Sequence, residues 1–409
     1  MTEEKKRIIF IIGFIIVTLV FGYAIYRVFF APKEPVPYLD ESPDYGVGEF
    51  PFAGEGEPQT PVTGPGVLPS TDTISPTQII SEQERLLAEQ PTSRIVSEAV
   101  VSASVTASGN LNYYNPQNGK FYKVDAEGNI VPLSDEVFFN VQNVTWSPAD
   151  DQAILEYPDG SKLYYNFATN EQATIPKHWE EFSFSKNGSR IASKSIGLSP
   201  ENRWLVVANP DGKNVKFVEP LGDNADKVNV DFSPNGQIVG TSMTGASQGA
   251  DRQEVLFVGQ NGENFRSTMV EGRGLVTHWS PTGNKLLYSV YSASSQYKPE
   301  LWIVNASPQT IGTGRKSLKI NTWANKCTFE NERFIYCGVP VSLDPGAGLE
   351  PSIADAIQDR IYKIDLQTGA QIEIPTPELY TIDSIQFDTK NRRLFFTDKI
   401  RSGIFNVQL

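Results

Sequence analysis

The stretch from His278 to Val290 reads HWSPTGNKLLYSV, and the rest of the chain repeats its design. Trp279 ends one extended run, Ser280-Pro281-Thr282-Gly283 reverses the chain, and Lys285-Leu286-Leu287-Tyr288 starts the run back. Pro281 presets the backbone of an early turn position, and Gly283 supplies the positive φ that closes a hairpin. The same pattern sets Trp146-Ser147-Pro148 before Ile154-Leu155, Phe184-Ser185-Lys186-Asn187-Gly188 before Ile191-Ala192, and Phe232-Ser233-Pro234-Asn235-Gly236 before Ile238-Val239. Worn copies stand at Phe329-Glu330-Asn331-Glu332 and at Phe387-Asp388-Thr389-Lys390-Asn391. From Trp146 to Phe387 the aromatics lie 38, 48, 47, 50 and 58 positions apart. Short strands repeating every ~40 to 50 residues mark the blades of a propeller.

Counting outward from these turns gives seven blades, with six as the alternative, in an all-β domain over residues 81–409. Blade one takes VVSASV, within 94–107, as its innermost strand and continues through Leu111-Asn112-Tyr113-Tyr114, Phe121 to Val124 and Ile130-Val131. The last blade begins near Thr381 and holds three strands. Its fourth is expected from the run near Arg85 to Ala88, because pairing the two ends closes the ring and removes an exposed edge.

The N-terminal part differs. After a tail over 1–7, residues 8–26 run IIFIIGFIIVTLVFGYAIY with no charge. As a helix these would span about 28 Å, close to the hydrocarbon thickness of a bilayer. A cleaved signal peptide would be shorter and end in small residues, whereas this run continues through Phe29 and Phe30, so Ile8 to Phe30 reads as a retained single-pass anchor. Lys5, Lys6 and Arg7 precede it, which keeps the N-terminus in the cytoplasm and everything after about residue 31 outside. Residues 31–80 are rich in Pro, Gly, Thr and acids with no hydrophobic period, and read as a disordered tether.

Charge narrows the partners. The formal net charge is −13, and the first 30 residues, with four basic and two acidic side chains, leave −15 on the remainder. That balance disfavours nucleic acid and any other phosphate-rich partner.

The aromatic-Ser-Pro-x-Gly hairpin followed by an apolar strand resembles the WD40-like repeat of TolB-type propellers. It is also similar to the propeller domains that precede the catalytic domain of prolyl-oligopeptidase-type peptidases. The resemblance covers about residues 81–409 and implies a protein or peptide binder; with the anchor it reads as a binding or scaffold module for an envelope protein, peptide or surface polymer, with a structural subunit of an envelope assembly as one alternative. A hydrolase domain of the peptidase kind would follow where this sequence ends.

Chemistry is sparse. The histidines are His178 and His278, no G-x-S-x-G elbow occurs, and Cys and His are too few and scattered for a zinc site. No catalytic residue, metal or cofactor is expected, and the chain reads as a non-enzyme. Gly222 to Asp226 clusters oxygen ligands but lacks the spacing of a calcium loop.

Three features remain. The residue before each motif aromatic is polar (Thr145, Ser183, Asp231, His278, Thr328 and Gln386), and strand alternation turns this set toward the central channel as a candidate ring. Asp231 and His278 are its strongly titratable members, and the rival enzyme reading, a propeller hydrolase or lyase, would rest on them. Blade six departs from the pattern with VPVSLDPGAGLEPSIADAIQD, where Leu343, Asp344, Leu349, Ile353 and Ile357 form a candidate partner loop around a short helix capped by Ser352. Cys327 and Cys337 fall on the first two strands of that blade, close enough for a disulfide, with a pair of buried thiols as the alternative.

Overall fold

The structure, a computed structural model, describes residues 92–409 apart from Asp150 and Asn264, together with Val17, Leu19 and Val20. The remainder of the expected anchor, the tether and the run near Arg85 lie outside the described residues. Val17, Leu19 and Val20 are helical, and among the described residues no helix is long and apolar enough to cross a membrane.

Among the described residues, 28 strands form seven antiparallel sheets of four, the blades of a propeller. Six blades use four consecutive strands. The seventh combines Ile382–Asp388, Arg393–Asp398 and Ile404–Gln408 with Ser93–Val96, the first strand of the domain. The closing strand is therefore Ser93–Val96, not the run near Arg85 to Ala88. The reason is packing: Val96 is buried beside Phe395 and Ile404, where blade seven needs an apolar side chain.

Cores lie between blades. The motif aromatics Trp146, Phe184, Phe232, Trp279, Phe329 and Phe387 are all buried. Blade one's Tyr114 and Phe121 meet blade two's Trp146, Tyr165 and Phe167 in one cluster, and equivalent mixed clusters follow around the ring. Each large ring buried this way removes about 150 to 250 Å² from water, so the repeat carries the stability as well as the turn. Blade one holds a seventh copy in which Val105 replaces the aromatic. Its Thr106-Ala107-Ser108-Gly109 turn keeps the Gly109 N to Thr106 O bond that Gly283 N makes to Ser280 O.

The two sides of the disc differ. On the hairpin face, where first strands turn into second strands, the motif turns are bonded to one another. Ala107 N donates to Pro148 O (2.9 Å), Gln152 Nε2 to Gly188 O (3.2 Å), Asn235 Nδ2 to Gly283 O (3.2 Å) and Lys390 Nζ to Ser108 O (3.3 Å). Lys186 Nζ reaches Pro281 O at 3.0 Å, a chord from blade three to blade five. The opposite, loop face carries the connections between second and third strands and those from blade to blade. Ser93 pairs with Asn406 and Val96 with Ile404, so the closing strand starts at the hairpin face and runs toward the loop face.

Candidate functional site

The innermost strands place the polar row between blades. Ser183 Oγ accepts from Phe232 N (2.9 Å), Thr328 Oγ1 from Phe387 N (3.2 Å) and Gln386 Oε1 from Val105 N (2.5 Å). In each case the polar residue holds the motif position of the next blade, and Gln386 does so across the ring closure. Thr145 is half-buried in the same row. Ser104, which precedes Val105, occupies the corresponding place in blade one. The aromatic that marks the other copies is absent there, although the Gly of the turn survives.

Asp231 and His278 are each half-buried, with protein packed closely around them. Burial pushes the Asp231 carboxyl up to about 7, opposed by the Thr277 hydroxyl beside it. Burial alone lowers His278 to about 4. The imidazole stacks on Phe329 of the next blade, with centroids 5.8 Å apart and planes at 17°. Neither group's acidity is set by the other, so the two act as separate titrating groups rather than a coupled acid–base pair. Among the described residues, no group of three or more His, Cys, Asp and Glu is placed to hold a metal ion. The Gly222–Lys227 segment is a short 3₁₀ stretch whose Asp223 pairs with Arg203.

The blade-six insertion lies on the loop face and is folded onto its neighbours. Leu343, Ala347 and Ala354 are buried in a small core with partly buried Trp323 and Ile357. Gly346 N donates to Gln296 O (2.9 Å) and Gly348 N to Tyr297 O (2.7 Å), so these two glycines dock the insertion on blade five. Gln296 and Tyr297 both hold φ 56, a left-handed conformation uncommon for such residues, and they lie in the loop that links blade five's second and third strands. The expected helix is a 3₁₀ turn, Pro351–Ala354, preceded by Glu350; Ser352 sits inside it with its hydroxyl on Glu350, not at the cap. Of the five expected contact residues, Leu343 is buried and Ile357 partly so, while Asp344, Leu349 and Ile353 face solvent.

Two groups that the sequence did not single out tie this region to blade seven. Lys326 Nζ meets both Asp359 oxygens at 2.7 Å, and Asp359 Oδ2 also accepts from Ile382 N at 2.7 Å. Burial lowers Lys326 and raises Asp359, with each opposed by its partner. Removing one partner would leave the other charge buried and unpaired, which makes the pair costly to break from one side. Lys399, in the blade-seven loop, pairs with Asp355 of the insertion. These ionic contacts were invisible in sequence because the partners are 33 and 44 positions apart. Cys327 and Cys337 stand opposite in register and are joined by a disulfide.

No protein-family model matches the chain, and no curated protein matches it. Solved propellers do. An oligogalacturonate lyase in complex with manganese is 12% identical, with 78% of this chain and 93% of that one aligned at TM-score 0.52. The oligogalacturonate lyase of Vibrio parahaemolyticus is 11% identical, covering 78% and 91% at 0.53. The Cps50 (Swd1) β-propeller domain of Myceliophteria thermophila is 10% identical, covering 77% and 98% at 0.51. What is shared is the fold. At these identities the likeness carries no activity from one chain to another.

Proposed function

We propose that this propeller is a non-catalytic recognition module of the TolB-type kind, held outside the cytoplasm by a single-pass anchor at 8–30 and a tether over 31–80. Its ligand on this reading is another envelope protein, a peptide or a surface polymer, bound at the loop face. The observation that carries the proposal is the insertion. It is pinned by backbone bonds to blade five and by Lys399 to blade seven, yet it leaves Leu349 and Ile353 in solvent. A rigid platform with exposed apolar side chains loses little entropy on binding.

The test replaces residues 341–358 by a short turn and compares what is captured from cross-linked membranes. Loss of the co-captured species supports the proposal, whereas an unchanged set removes the loop from it. The enzyme reading, a hydrolase or lyase, draws on one observation, the Asp231 carboxyl titrating near neutrality inside the ring. Asp231→Asn with His278→Gln separates the two readings, since recognition at the loop face survives that change and channel chemistry does not.

A further inference from the structure

We infer that the loop face over blades six, seven and one takes a basic, amphipathic segment of a protein partner. This rests on the reading of that face as the recognition surface and adds the chemistry of what it binds. Leu349, Ile353 and Ile400 are 57%, 42% and 66% exposed. The ion pair between Lys399 and Asp355 holds the blade-seven loop that carries Ile400 against the end of the insertion that carries Ile353. Single exposed apolar residues need no explanation, but three on adjoining, mutually bonded loops make a surface that a partner's apolar side chains can cover.

Beside Ile400 lies a cavity of about 500 Å³, lined by Asp383, Asp398, Lys399, Asn143, Ser102 and Ser384 among others. Its innermost strands from blades one and seven are both bulged, with Ser102 at φ 52, as are those of blades three and five, so the bulge belongs to the repeat. The lining holds Asp383, Asp398 and Lys399, with the Arg94 guanidinium on Ser402 O at the rim; Asp398 is taken up by the N–H groups of Thr381, Ile400 and Arg401, so Asp383 is the carboxylate left for a partner. Lys399 serves both Asp355 and Asp383, the latter at 3.8 Å, and Asp383 remains 56% exposed at its side chain.

The wider face has the same sign. Segments that join strands on the loop face carry thirteen acidic and eight basic side chains, against nine and eight on the hairpin face. Interfaces match potentials of opposite sign, so the occupant brings Lys or Arg toward Asp383 and apolar side chains onto Ile353 and Ile400. Anionic lipid and nucleic acid are repelled by the same bias.

The probe is a phage library of random dodecapeptides, panned against the full chain in nanodiscs. Enriched peptides are expected to be rich in Lys or Arg together with Leu, Ile or Phe. Their affinity should fall about tenfold for Asp383→Lys with Ile400→Ser, and stay unchanged for Lys213→Glu on the hairpin face. Matched melting curves establish that the variants are folded. No enrichment, enriched peptides without basic excess, or equal binding by the Asp383→Lys, Ile400→Ser protein overturns the inference. If capture still depends on residues 341–358 while the peptides carry no basic excess, the recognition face stands and this partner chemistry falls.

Discussion

A Cβ placed on Gly348 would stand 2.5 Å from the Tyr291 Cβ, so an alanine there pushes the insertion off blade five. Gly348→Ala is expected to cost about 1 to 3 kcal/mol through overpacking. The effect should be local, with faster amide exchange across 343–354 and unchanged exchange in the innermost strands; protection left unchanged in the insertion contradicts the docking described above. Asp231 gives a second test. Its folded value, about 7, lies above that of an ordinary carboxylate. The stability it contributes is full below the unfolded value and is lost as pH rises through 7. Asp231→Asn should therefore gain about 1 to 2 kcal/mol over the native protein at alkaline pH and nothing near pH 4, a figure discounted because the residue is only half-buried. Melting curves at the two pH values check it. His278 runs the other way, with a contribution present above its unfolded value and lost as pH falls toward 4. Cys327 and Cys337, ten positions apart and both buried, should resist reductant in the native state. Cys327→Ser with Cys337→Ser is expected to cost about 2 to 3 kcal/mol in urea unfolding.

The blades were legible because each repeats one turn, and the turn is written in a few residues with little freedom. Trp279-Ser280-Pro281-Thr282-Gly283 can be read as a hairpin from backbone angles alone. Blade one was harder, since Val105 fills the interblade site that an aromatic fills elsewhere, and hydrophobic identity at such a site is only loosely specified. The closing strand was misplaced because any short apolar run near the domain's start satisfies the pairing rule, and only the packing of Val96 distinguishes Ser93–Val96. That strand makes a prediction at its own scale. A chain beginning at Thr92 should fold with an intact ring, while one beginning at Glu98 exposes the edge of Ile404–Gln408 and should melt several degrees lower or self-associate. Calorimetry with size-exclusion chromatography separates these outcomes.

For the molecule as a whole, sequence reached the architecture more readily than the site. A propeller is a sum of near-neighbour contacts, each announced by its own motif, whereas a binding face is assembled from loops far apart in the chain. The insertion was visible as a break in the repeat. Its anchoring by Gln296, Tyr297 and Lys399 was not, since nothing local to residues 341–358 names those partners. The polar row was likewise visible as a pattern, but Ser183, Thr328 and Gln386 hold the next blade's backbone, an engagement that alternation alone does not reveal.

The claim on which the account depends is that this disc works through its loop face. Site-specific photocross-linking in intact cells tests it most directly, with the reactive side chain at Ile353 on the loop face or at Lys213 on the hairpin face. The account predicts discrete higher-mass adducts from Ile353 that disappear when Ile400→Ser and Asp383→Lys are added, and none from Lys213. Adducts from Lys213 with none from Ile353 would contradict it.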